Sequence, residues 1–372
     1  MELPVKPYIK SRLKTSYAVE GPEDQYLVDC GDGVNILTIS EQARRALAAL
    51  PWSAAQTYPH TVEMKEVVAR YWADLVELPL PRIFPGEGSQ SLLYDTCRLF
   101  LEPGDKVLGP GPCYAELASD VGMWGAEYDF VPLRPEQKFR LDTGEMLRRM
   151  DGSHKLIYLD TPNNPTGQAV PLEEVEALVR RAAELSTPII VDEAYGDYLP
   201  REQSAITLTG RYDNLVVLRS FSKAHGLAGI RAGYGVLPEQ LRVPLDNITH
   251  PYICSTPSRL VAQAALEDRG FLERTRAITA QCKAPFLERT WSHLSVSYTC
   301  PETPILLLTH EDPSVDLKRL FDAFLIKVVS GTAFVGLGAN SARLRVPAEE
   351  HRELVFRAID AIDRGEPGPG AQ

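Results

Sequence analysis

Three short segments of the chain carry side chains whose types and spacing are suited to chemistry. Residues 220–233 combine two serines, a lysine, a glycine-rich turn and an arginine. Residues 163–167 read Asn-Asn-Pro-Thr-Gly, and residues 191–195 read Val-Asp-Glu-Ala-Tyr. Together they offer a primary amine, a carboxylate, amide and phenol donors, and hydroxyl and guanidinium ligands. This set matches the needs of pyridoxal 5′-phosphate (PLP), which takes an imine-forming amine, a carboxylate for its ring nitrogen, donors for its phenolic oxygen and ligands for its phosphate.

Lys223 is the central residue of this hypothesis, although an isolated lysine is in general a solvated surface side chain. An imine requires an amine that is neutral at working pH, and desolvation at the end of a buried strand or nearby positive charge favours that state. Ser220 and Ser222 precede the lysine and Arg231 follows it. Hydroxyl donors and a planar guanidinium can hold a dianionic phosphate, so the Ser-x-Ser-Lys pattern becomes specific in this context.

Asp192, Tyr195 and Asn164 are the predicted partners of the coenzyme ring. A carboxylate at Asp192 would keep the pyridine nitrogen protonated and so improve the ring as an electron sink, whereas an isolated aspartate here would equally well cap the following helix. Tyr195 follows three residues later and can donate its hydroxyl to the phenolic oxygen. Asn164 can donate from another strand end, although Asn-Pro-Thr-Gly is also good turn chemistry.

Four further residues are weaker candidates. Ser89 and Gln90 follow a glycine and precede a predicted helix, so the amides of its first turn and its dipole can complete a phosphate cup. Tyr114 can stack on the face of the pyridine ring, but a core aromatic is an equal alternative. Tyr58, in Thr-Tyr-Pro, is ambiguous in the same way.

The elements that must position these residues follow an α/β pattern. Short aliphatic runs alternate with helix-period segments from about residue 60 to 245, which predicts a mostly parallel central sheet. The predicted strands are 106–108, 155–159, 188–191 and 215–218, and an amphipathic helix is predicted over 172–184. Tyr114, Asn164, Asp192 and Lys223 each lie just past one strand, where open α/β sheets bind ligands.

A change of texture near residue 246 predicts a second, smaller α+β domain. We expect an N-terminal arm over residues 1–40 that packs on the small domain or on a partner subunit, a large PLP-binding domain over 41–245, and a small C-terminal domain over 246–372. Helical stretches are predicted over 258–276, 314–324 and 350–363.

Composition excludes several classes of function. The chain has 372 residues, with 39 Lys and Arg against 50 Asp and Glu, and its net charge of -11 without a basic run argues against nucleic-acid or anionic-membrane partners. The 6 cysteines are scattered, without the spacing of a zinc site, so we predict no metal. No apolar run has membrane-spanning length, and we expect a cytoplasmic protein.

These motifs resemble aminotransferase classes I and II, within the aspartate aminotransferase superfamily of fold type I PLP enzymes, and in layout the histidinol-phosphate aminotransferase-like branch. The resemblance implies a large three-layer α/β domain with a smaller α+β C-terminal domain. It implies that Lys223 carries the internal aldimine and transfers protons, with Asp192 and Tyr195 as the further catalytic residues. By the same resemblance the coenzyme ligands are Ser89, Gln90, Tyr114, Asn164, Asp192, Tyr195, Ser220, Ser222, Lys223 and Arg231. Tyr58 matches a tyrosine that reaches the phosphate of the neighbouring subunit, which implies a homodimer with shared active sites.

The resemblance also implies substrate-binding residues. The family has an arginine near the C-terminus that clamps the α-carboxylate, and both Arg343 and Arg345 are candidates on one strand face. Register with the family's Arg-x-Thr-Val-Gly-x-x-Glu pattern selects Arg343. Asn35, in the N-terminal substrate-lining segment, and Asn164 complete the predicted set.

Two departures from the family pattern bear on the substrate. Histidinol-phosphate enzymes carry an extra arginine for the substrate phosphate, whereas residues 326–334 read Ile-Lys-Val-Val-Ser-Gly-Thr-Ala-Phe. The N-terminal segment Cys-Gly-Asp-Gly-Val-Asn at residues 30–35 also differs from the common form. We therefore expect a non-phosphorylated amino acid, of a specialised, secondary-metabolic kind.

The predicted function is that of a PLP-dependent aminotransferase that passes an amino group between an amino acid and a 2-oxo acid. The same site chemistry suits a PLP-dependent lyase, decarboxylase or cyclase, because the pocket selects which bond at Cα breaks. A regulator that uses the fold as a ligand sensor is the third class. It is disfavoured because about 40 residues before the core leave little room for a DNA-binding module, and because Lys223 and Asp192 are both present.

Overall fold

The computed structural model describes residues 3–10, 25–366 and 368, and within them short strands alternate with helices. The strands are β1 (Val28–Asp29), β2 (Ile83–Gly86), β3 (Lys106–Gly111), β4 (Glu127–Pro132), β5 (Leu156–Asp160), β6 (Ile189–Glu193), β7 (Leu215–Ser220), β8 (Gly233–Val236), β9 (Leu294–Val296), β10 (Ile305–His310), β11 (Ile326–Lys327), β12 (Val329–Ser330) and β13 (Ser341–Arg345). The α-helices are α1 (Pro7–Lys10), α2 (Glu41–Ala48), α3 (Ser53–Gln56), α4 (Val62–Trp72), α5 (Ser89–Phe100), α6 (Ala115–Met123), α7 (Thr143–Arg149), α8 (Leu172–Glu184), α9 (Arg242–Ile248), α10 (Thr256–Glu267), α11 (Arg269–Glu288), α12 (Leu317–Ala323) and α13 (Glu349–Asp363). Within these described ranges, no helix is both long enough and apolar enough to cross a membrane.

The central sheet has seven strands in the order β2-β8-β7-β6-β5-β3-β4. The pairs from β4 through β3, β5 and β6 to β7 are parallel, and β8 runs antiparallel to both of its neighbours. The four strands predicted from the sequence correspond to β3, β5, β6 and β7, and α8 has the predicted bounds. The prediction of an α/β fold with a mostly parallel central sheet is therefore confirmed.

Alternate residues of the central strands face two different buried clusters. Ile157 and Leu159 of β5 belong to a cluster that includes residues of α4, α8 and α10, whereas Leu156 and Tyr158 belong to a cluster with residues of α5 and α6. Helices thus cover both faces of the sheet, which is the arrangement that a parallel sheet requires. The large unit has the predicted three layers.

A second, smaller sheet has the order β12-β13-β10-β9 and is antiparallel throughout. Its core includes Phe286 of α11, Phe321 of α12 and Phe356 of α13. Val28 of β1 pairs with Ile326 of β11 and belongs to this core, so the N-terminal segment at residues 28–30 packs on the smaller unit.

The segment after residue 245 does not all pack on the smaller core. Helix α10 contacts α2 and α4, and its Val261 and Ala262 belong to the larger unit's core. The helical stretch predicted over 258–276 is also divided into α10 and α11. Asp268 separates them because its side chain caps α11, where it accepts a hydrogen bond from the Phe271 amide at 3.2 Å. The large and small domains of residues 41–245 and 246–372 remain a proposal, and these contacts favour a boundary after α10.

Candidate active site

The carboxyl ends of three adjacent parallel strands bring the predicted residues together. Asp160 ends β5, Asp192 lies one residue before the end of β6, and Ser220 ends β7, three residues before Lys223. Asp160 and Asp192 are direct neighbours in the strand register. One pocket at this edge is lined by Gly88, Ser89, Gln90, Tyr114, Asp160, Pro162, Asn164, Asp192, Ala194, Tyr195, Ser220, Ser222, Lys223, Ala228 and Arg231. Ten of the residues predicted from sequence are therefore in one place, while Tyr58, Asn35 and Arg343 lie outside this lining.

One end of the pocket is built to receive an anion. Arg231 Nη1 donates to Ser222 Oγ at 3.3 Å and to the Ala228 carbonyl at 3.1 Å, and Nη2 donates to the Glu87 carbonyl at 3.1 Å. Gly88 has a φ of +80°, and a Cβ there would lie 3.0 Å from Arg231 Nη2, so glycine leaves room for the guanidinium. Helix α5 begins directly after Gly88, and its first amides and dipole add to the positive potential.

Asp192 is buried beside this cradle. Its Oδ1 accepts from the Ala194 amide at 2.9 Å and its Oδ2 accepts from the Tyr158 hydroxyl at 3.3 Å. Burial raises the pKa of this carboxyl to about 6, and the Lys223 ammonium acts in the opposite direction. The Lys223 Nζ lies 5.4 Å from the centroid of the Tyr195 ring, so amine, carboxylate and phenol share the same pocket.

The environment of the Tyr195 hydroxyl shows whether the pocket fits PLP. It is buried and has no hydrogen-bond partner within the part of the chain that the structure describes. Burial raises the pKa of the phenol to about 12, so it is a donor at neutral pH. A Cβ on Gly33 would lie 2.0 Å from this oxygen, so the N-terminal segment closes one side. A buried phenol in need of an acceptor, close to a lysine and an anion cradle, fits the phenolic oxygen of PLP.

Asp160 is a site residue that the sequence analysis missed. Its Oδ2 accepts from the amides of Tyr114 at 3.1 Å and Asn164 at 3.0 Å, and its Oδ1 accepts from Asn163 Nδ2 at 2.9 Å. Burial raises the pKa of this carboxyl to about 7, and the neighbouring Asp192 also raises it. Asp160 therefore fixes two predicted coenzyme ligands, and its position at a strand end next to Asp192 was the available signal.

Tyr114 and Gln90 contact each other across the pocket, since the Tyr114 hydroxyl donates to Gln90 Oε1 at 3.1 Å.

Asn35, which was predicted as a substrate ligand, makes its contacts within the protein. Asn35 is buried, and its Nδ2 donates to the Ala224 carbonyl at 2.5 Å and to Thr275 Oγ1 at 3.2 Å, so it supports the residue after Lys223. Its amide hydrogens are thus committed inside the protein.

Tyr58 lies on the surface, away from the pocket lining. Its side chain is 71% exposed, and its ring stacks on Tyr252 with centroids 4.5 Å apart. A role for Tyr58 at the coenzyme phosphate would have to be played toward a second copy of the chain.

Arg343 and Arg345 share a strand face, but their contacts differ. Arg343 is fully buried, and its Nη1 donates to Asn164 Oδ1 at 3.1 Å, while its Nη2 donates to the Gly31 carbonyl. Arg345 instead donates to the backbone carbonyls of Asp29 and Val346. Contact with a pocket-lining residue therefore favours Arg343 as the carboxylate clamp.

A buried ion cluster, also missed from sequence, joins the two strand ends that carry the predicted catalytic groups. Arg219 Nη1 lies 2.7 Å from Glu193 Oε2, and Nη2 forms a second ion pair with Asp197. His225 Nε2 lies 3.4 Å from Asp197 Oδ2. Although burial raises the pKa of the Asp197 carboxyl, Arg219 and His225 together outweigh burial and hold this pKa well below its usual range. Glu193 and Arg219 flank Asp192 and Ser220, so the cluster braces the pocket.

A three-layer domain whose central sheet presents a lysine, a carboxylate and an anion cradle at one edge is typical of a PLP-dependent enzyme of fold type I. Residues 24–362 match the family model for aminotransferase class I and II, and the chain belongs to this family. It is therefore a PLP-dependent aminotransferase, and the expectation drawn from its motifs is confirmed.

Several relatives cover most of the chain. It is 31% identical over 364 residues to the histidinol-phosphate aminotransferase of Methanosarcina mazei, which covers 96% of this chain and 94% of that protein. It is 33% identical over 285 residues to the enzyme of the same name from Symbiobacterium thermophilum, with 76% of each chain covered. The fold is similar to that of histidinol-phosphate aminotransferase from Sinorhizobium meliloti in complex with pyridoxal-5′-phosphate, with a TM-score of 0.81, 22% identity, and coverage of 98% of this chain and 99% of that chain.

Proposed function

We propose that this aminotransferase acts on an amino acid without a phosphate group, takes a 2-oxo acid as the amino acceptor, and works as a homodimer. The observation that carries the substrate proposal is the environment of Arg343. Val329 of β12 is the antiparallel partner of Arg343, and its side chain is buried in an apolar cluster with Ala115 and Phe334. The Phe334 ring lies 5.9 Å from Arg343 Cζ. A substrate anchored at Arg343 would therefore meet apolar groups along this wall.

The only cation in residues 326–334 is already neutralised. Lys327 Nζ lies 3.0 Å from Asp29 Oδ2 and 4.0 Å from Asp32 Oδ1. A phosphate monoester carries nearly two negative charges, so Arg343 alone would leave one of them without a partner cation, and burying that charge is unfavourable. This segment supports a neutral substrate side chain, of the specialised kind that the sequence departures suggest.

The roles we propose for the pocket follow from its contacts. When bound, PLP would accept the electron pair that remains on the substrate Cα after one of its bonds breaks. Ser220, Ser222, Arg231 and the first turn of α5, with Ser89 and Gln90, hold the phosphate, and Tyr114 covers one ring face. Asp192 holds the proton on the ring nitrogen. Tyr195 and Asn164 would donate to the phenolic oxygen. Lys223 Nζ would be the covalent anchor in the resting enzyme and, once released from that bond, would take the proton from the substrate Cα.

The dimer proposal rests on an exposed aromatic surface. Trp52 is 93% exposed, Tyr58 is 71% exposed and Tyr252 is 52% exposed. Contiguous exposed apolar patches mark interaction sites, and aromatic side chains are enriched in protein interfaces. We propose that this surface faces a second copy and that Tyr58 reaches the partner's phosphate cradle. Analytical ultracentrifugation tests the assembly, and a Tyr58→Ala variant that keeps full coenzyme affinity would contradict the shared site.

The relatives' names favour a second candidate, which is activity on L-histidinol phosphate. The two candidates separate in single-turnover assays that follow the coenzyme absorbance with matched amino donors: L-histidine against L-histidinol phosphate, and L-serine against O-phospho-L-serine. We expect the best non-phosphorylated donor to exceed every phosphorylated one by at least about tenfold in kcat/KM. Preference for L-histidinol phosphate would overturn the proposal, and ammonia release without amino transfer would indicate a lyase.

A substitution beside Arg343 makes the assay sharper. Val329→Arg adds a guanidinium to the apolar wall and is expected to raise kcat/KM for L-histidinol phosphate, whereas Val329→Met changes the size without the charge. If both variants behave alike, the wall does not select against phosphate by charge.

A further inference from the structure

Lys283 of α11 is a fully buried cation with an unusual set of partners. Its Nζ lies within hydrogen-bond distance of five oxygens, none of which belongs to a carboxylate. These are Thr299 Oγ1 at 2.6 Å, the Cys300 carbonyl at 2.7 Å, the Ile305 carbonyl at 2.8 Å, and the Thr303 carbonyl and Oγ1, both at 3.0 Å.

Five neutral oxygens around one ammonium, which has only three hydrogens, resemble the shell that carbonyl and hydroxyl oxygens form around a monovalent cation. Burial lowers the pKa of Lys283 to about 7. The Glu302 carboxylate opposes that effect, and hydrogen bonds to the charged form in general favour an ammonium. A cation so placed holds together a loop whose carbonyls would otherwise repel one another.

Three of these oxygens also pack against Gly167. A Cβ at Gly167 would lie 2.3 Å from the Ile305 carbonyl oxygen, 2.6 Å from Thr299 Oγ1 and 2.7 Å from Thr303 Oγ1. Gly167 also has a φ of +74°, and its carbonyl accepts from Thr303 Oγ1 at 2.8 Å and from the Cys300 amide at 3.0 Å. The loop at residues 299–305 therefore packs against Gly167 through oxygens that also contact Lys283 Nζ.

Gly167 in turn closes the turn that carries Asn164. The Gly167 amide donates to the Asn163 carbonyl at 2.7 Å, and Asn164 Oδ1 accepts from Arg343 Nη1 at 3.1 Å. We infer that Lys283 is a positioning residue for the amino acid substrate: its ammonium acts as a built-in monovalent cation that holds the 299–305 loop on Gly167 and so keeps Asn164 in place for Arg343. This inference rests on the substrate roles proposed above for Asn164 and Arg343.

Lys283→Met removes the charge and keeps a long apolar side chain. The expected result in the holoenzyme is a rise in KM for the amino donor of about tenfold with kcat within about threefold, because substrate anchoring is lost rather than chemistry. Hydrogen exchange of the amides at residues 163–168 should rise together with KM. The control is Lys318→Met, which removes a lysine of α12 that pairs with Asp322 of the same helix at 2.6 Å.

Lys283→Ala is the second variant, because it leaves the oxygen shell without its cation. KCl or NH4Cl should restore KM and exchange protection, and tetramethylammonium chloride at the same ionic strength should not. Unchanged KM and exchange in Lys283→Met, or equal rescue by all three salts, would overturn the inference. Wild-type protein without amino transfer would instead refute the proposed function, while the exchange comparison would still decide the role of Lys283.

Discussion

Replacing Tyr195 by phenylalanine should have opposite effects on the apoenzyme and the holoenzyme. The Tyr195 hydroxyl is buried and lacks a hydrogen-bond partner among the described residues, so in the apoenzyme it carries a desolvation cost. In the holoenzyme we propose that the same hydroxyl gains the phenolic oxygen of the coenzyme as an acceptor. Deleting the hydroxyl therefore removes a desolvation cost in the apoenzyme and a hydrogen bond in the holoenzyme.

The magnitudes follow from the contacts. An unsatisfied buried hydroxyl costs about 1 to 3 kcal/mol, and a hydrogen bond to a charged oxygen contributes about 1.5 to 3 kcal/mol. For 372 residues the entropy of unfolding is about 0.8 kcal/mol/K, so each effect changes the melting temperature by roughly 1 to 4 °C. The apoenzyme of Tyr195→Phe should melt higher than wild type, and its holoenzyme should melt lower.

Tyr198→Phe is the matched control for this experiment. The Tyr198 hydroxyl is also buried without a partner in the described part of the chain, and its ring stacks on Tyr195 with centroids 6.2 Å apart, but it does not line the pocket. Its deletion should raise the melting temperature of both forms alike. Differential scanning calorimetry of the apo and holo forms gives the four differences, and a Tyr195→Phe effect of the same sign in both forms would refute the reasoning.

Three further predictions concern the carboxylates and the arginine pair. Asp192→Ala should retain weak coenzyme binding and lose about two to four powers of ten in single-turnover rate, and an unchanged rate would remove Asp192 from the mechanism. Asp160 has a pKa raised to about 7, so its contribution to stability is complete below about pH 4 and is lost as the pH rises through 7. In urea unfolding of the apoenzyme, wild type should therefore lose about 1 to 4 kcal/mol relative to Asp160→Asn between pH 4 and 8, and parallel pH profiles would contradict this. Arg343→Ala should raise KM for the amino donor about 10- to 100-fold, the scale of a lost charge-assisted pair, and the same effect in Arg345→Ala alone would show that the register was wrong.

Local patterns were sufficient to predict four parallel strands, helix α8 and ten of the residues that line the pocket. The motif around Lys223 and the polar residues after β5 and β6 depend on spacing within a few residues, and strand alternation places them at one edge. The structure also brings Tyr114 and Gln90 into contact, although 24 positions separate them in the sequence.

Contacts between distant segments could not be predicted in this way. Lys283 has no local sign of burial, since its role depends on a loop 16 to 22 positions later in the chain. Asn35 was predicted as a substrate ligand because it lies in the N-terminal substrate-lining segment. In the structure its side-chain amide donates a hydrogen bond to the carbonyl of Ala224, 189 positions away. The packing of α10 on the large unit likewise depends on contacts with α2 and α4, which its own hydrophobic period does not specify.

Whether Lys223 binds the coenzyme covalently is tested most directly by borohydride reduction. The purified, PLP-reconstituted protein is reduced, and the labelled peptide is mapped by mass spectrometry. We expect one coenzyme mass on Lys223, and loss of that label together with the absorbance at about 420 nm in Lys223→Ala. Lys283, the buried amine with a pKa near neutrality, serves as the internal comparison and should stay unmodified. Label on Lys283 or on any other peptide, or a Lys223→Ala protein that still turns over, would show that Lys223 is not the residue that binds the coenzyme.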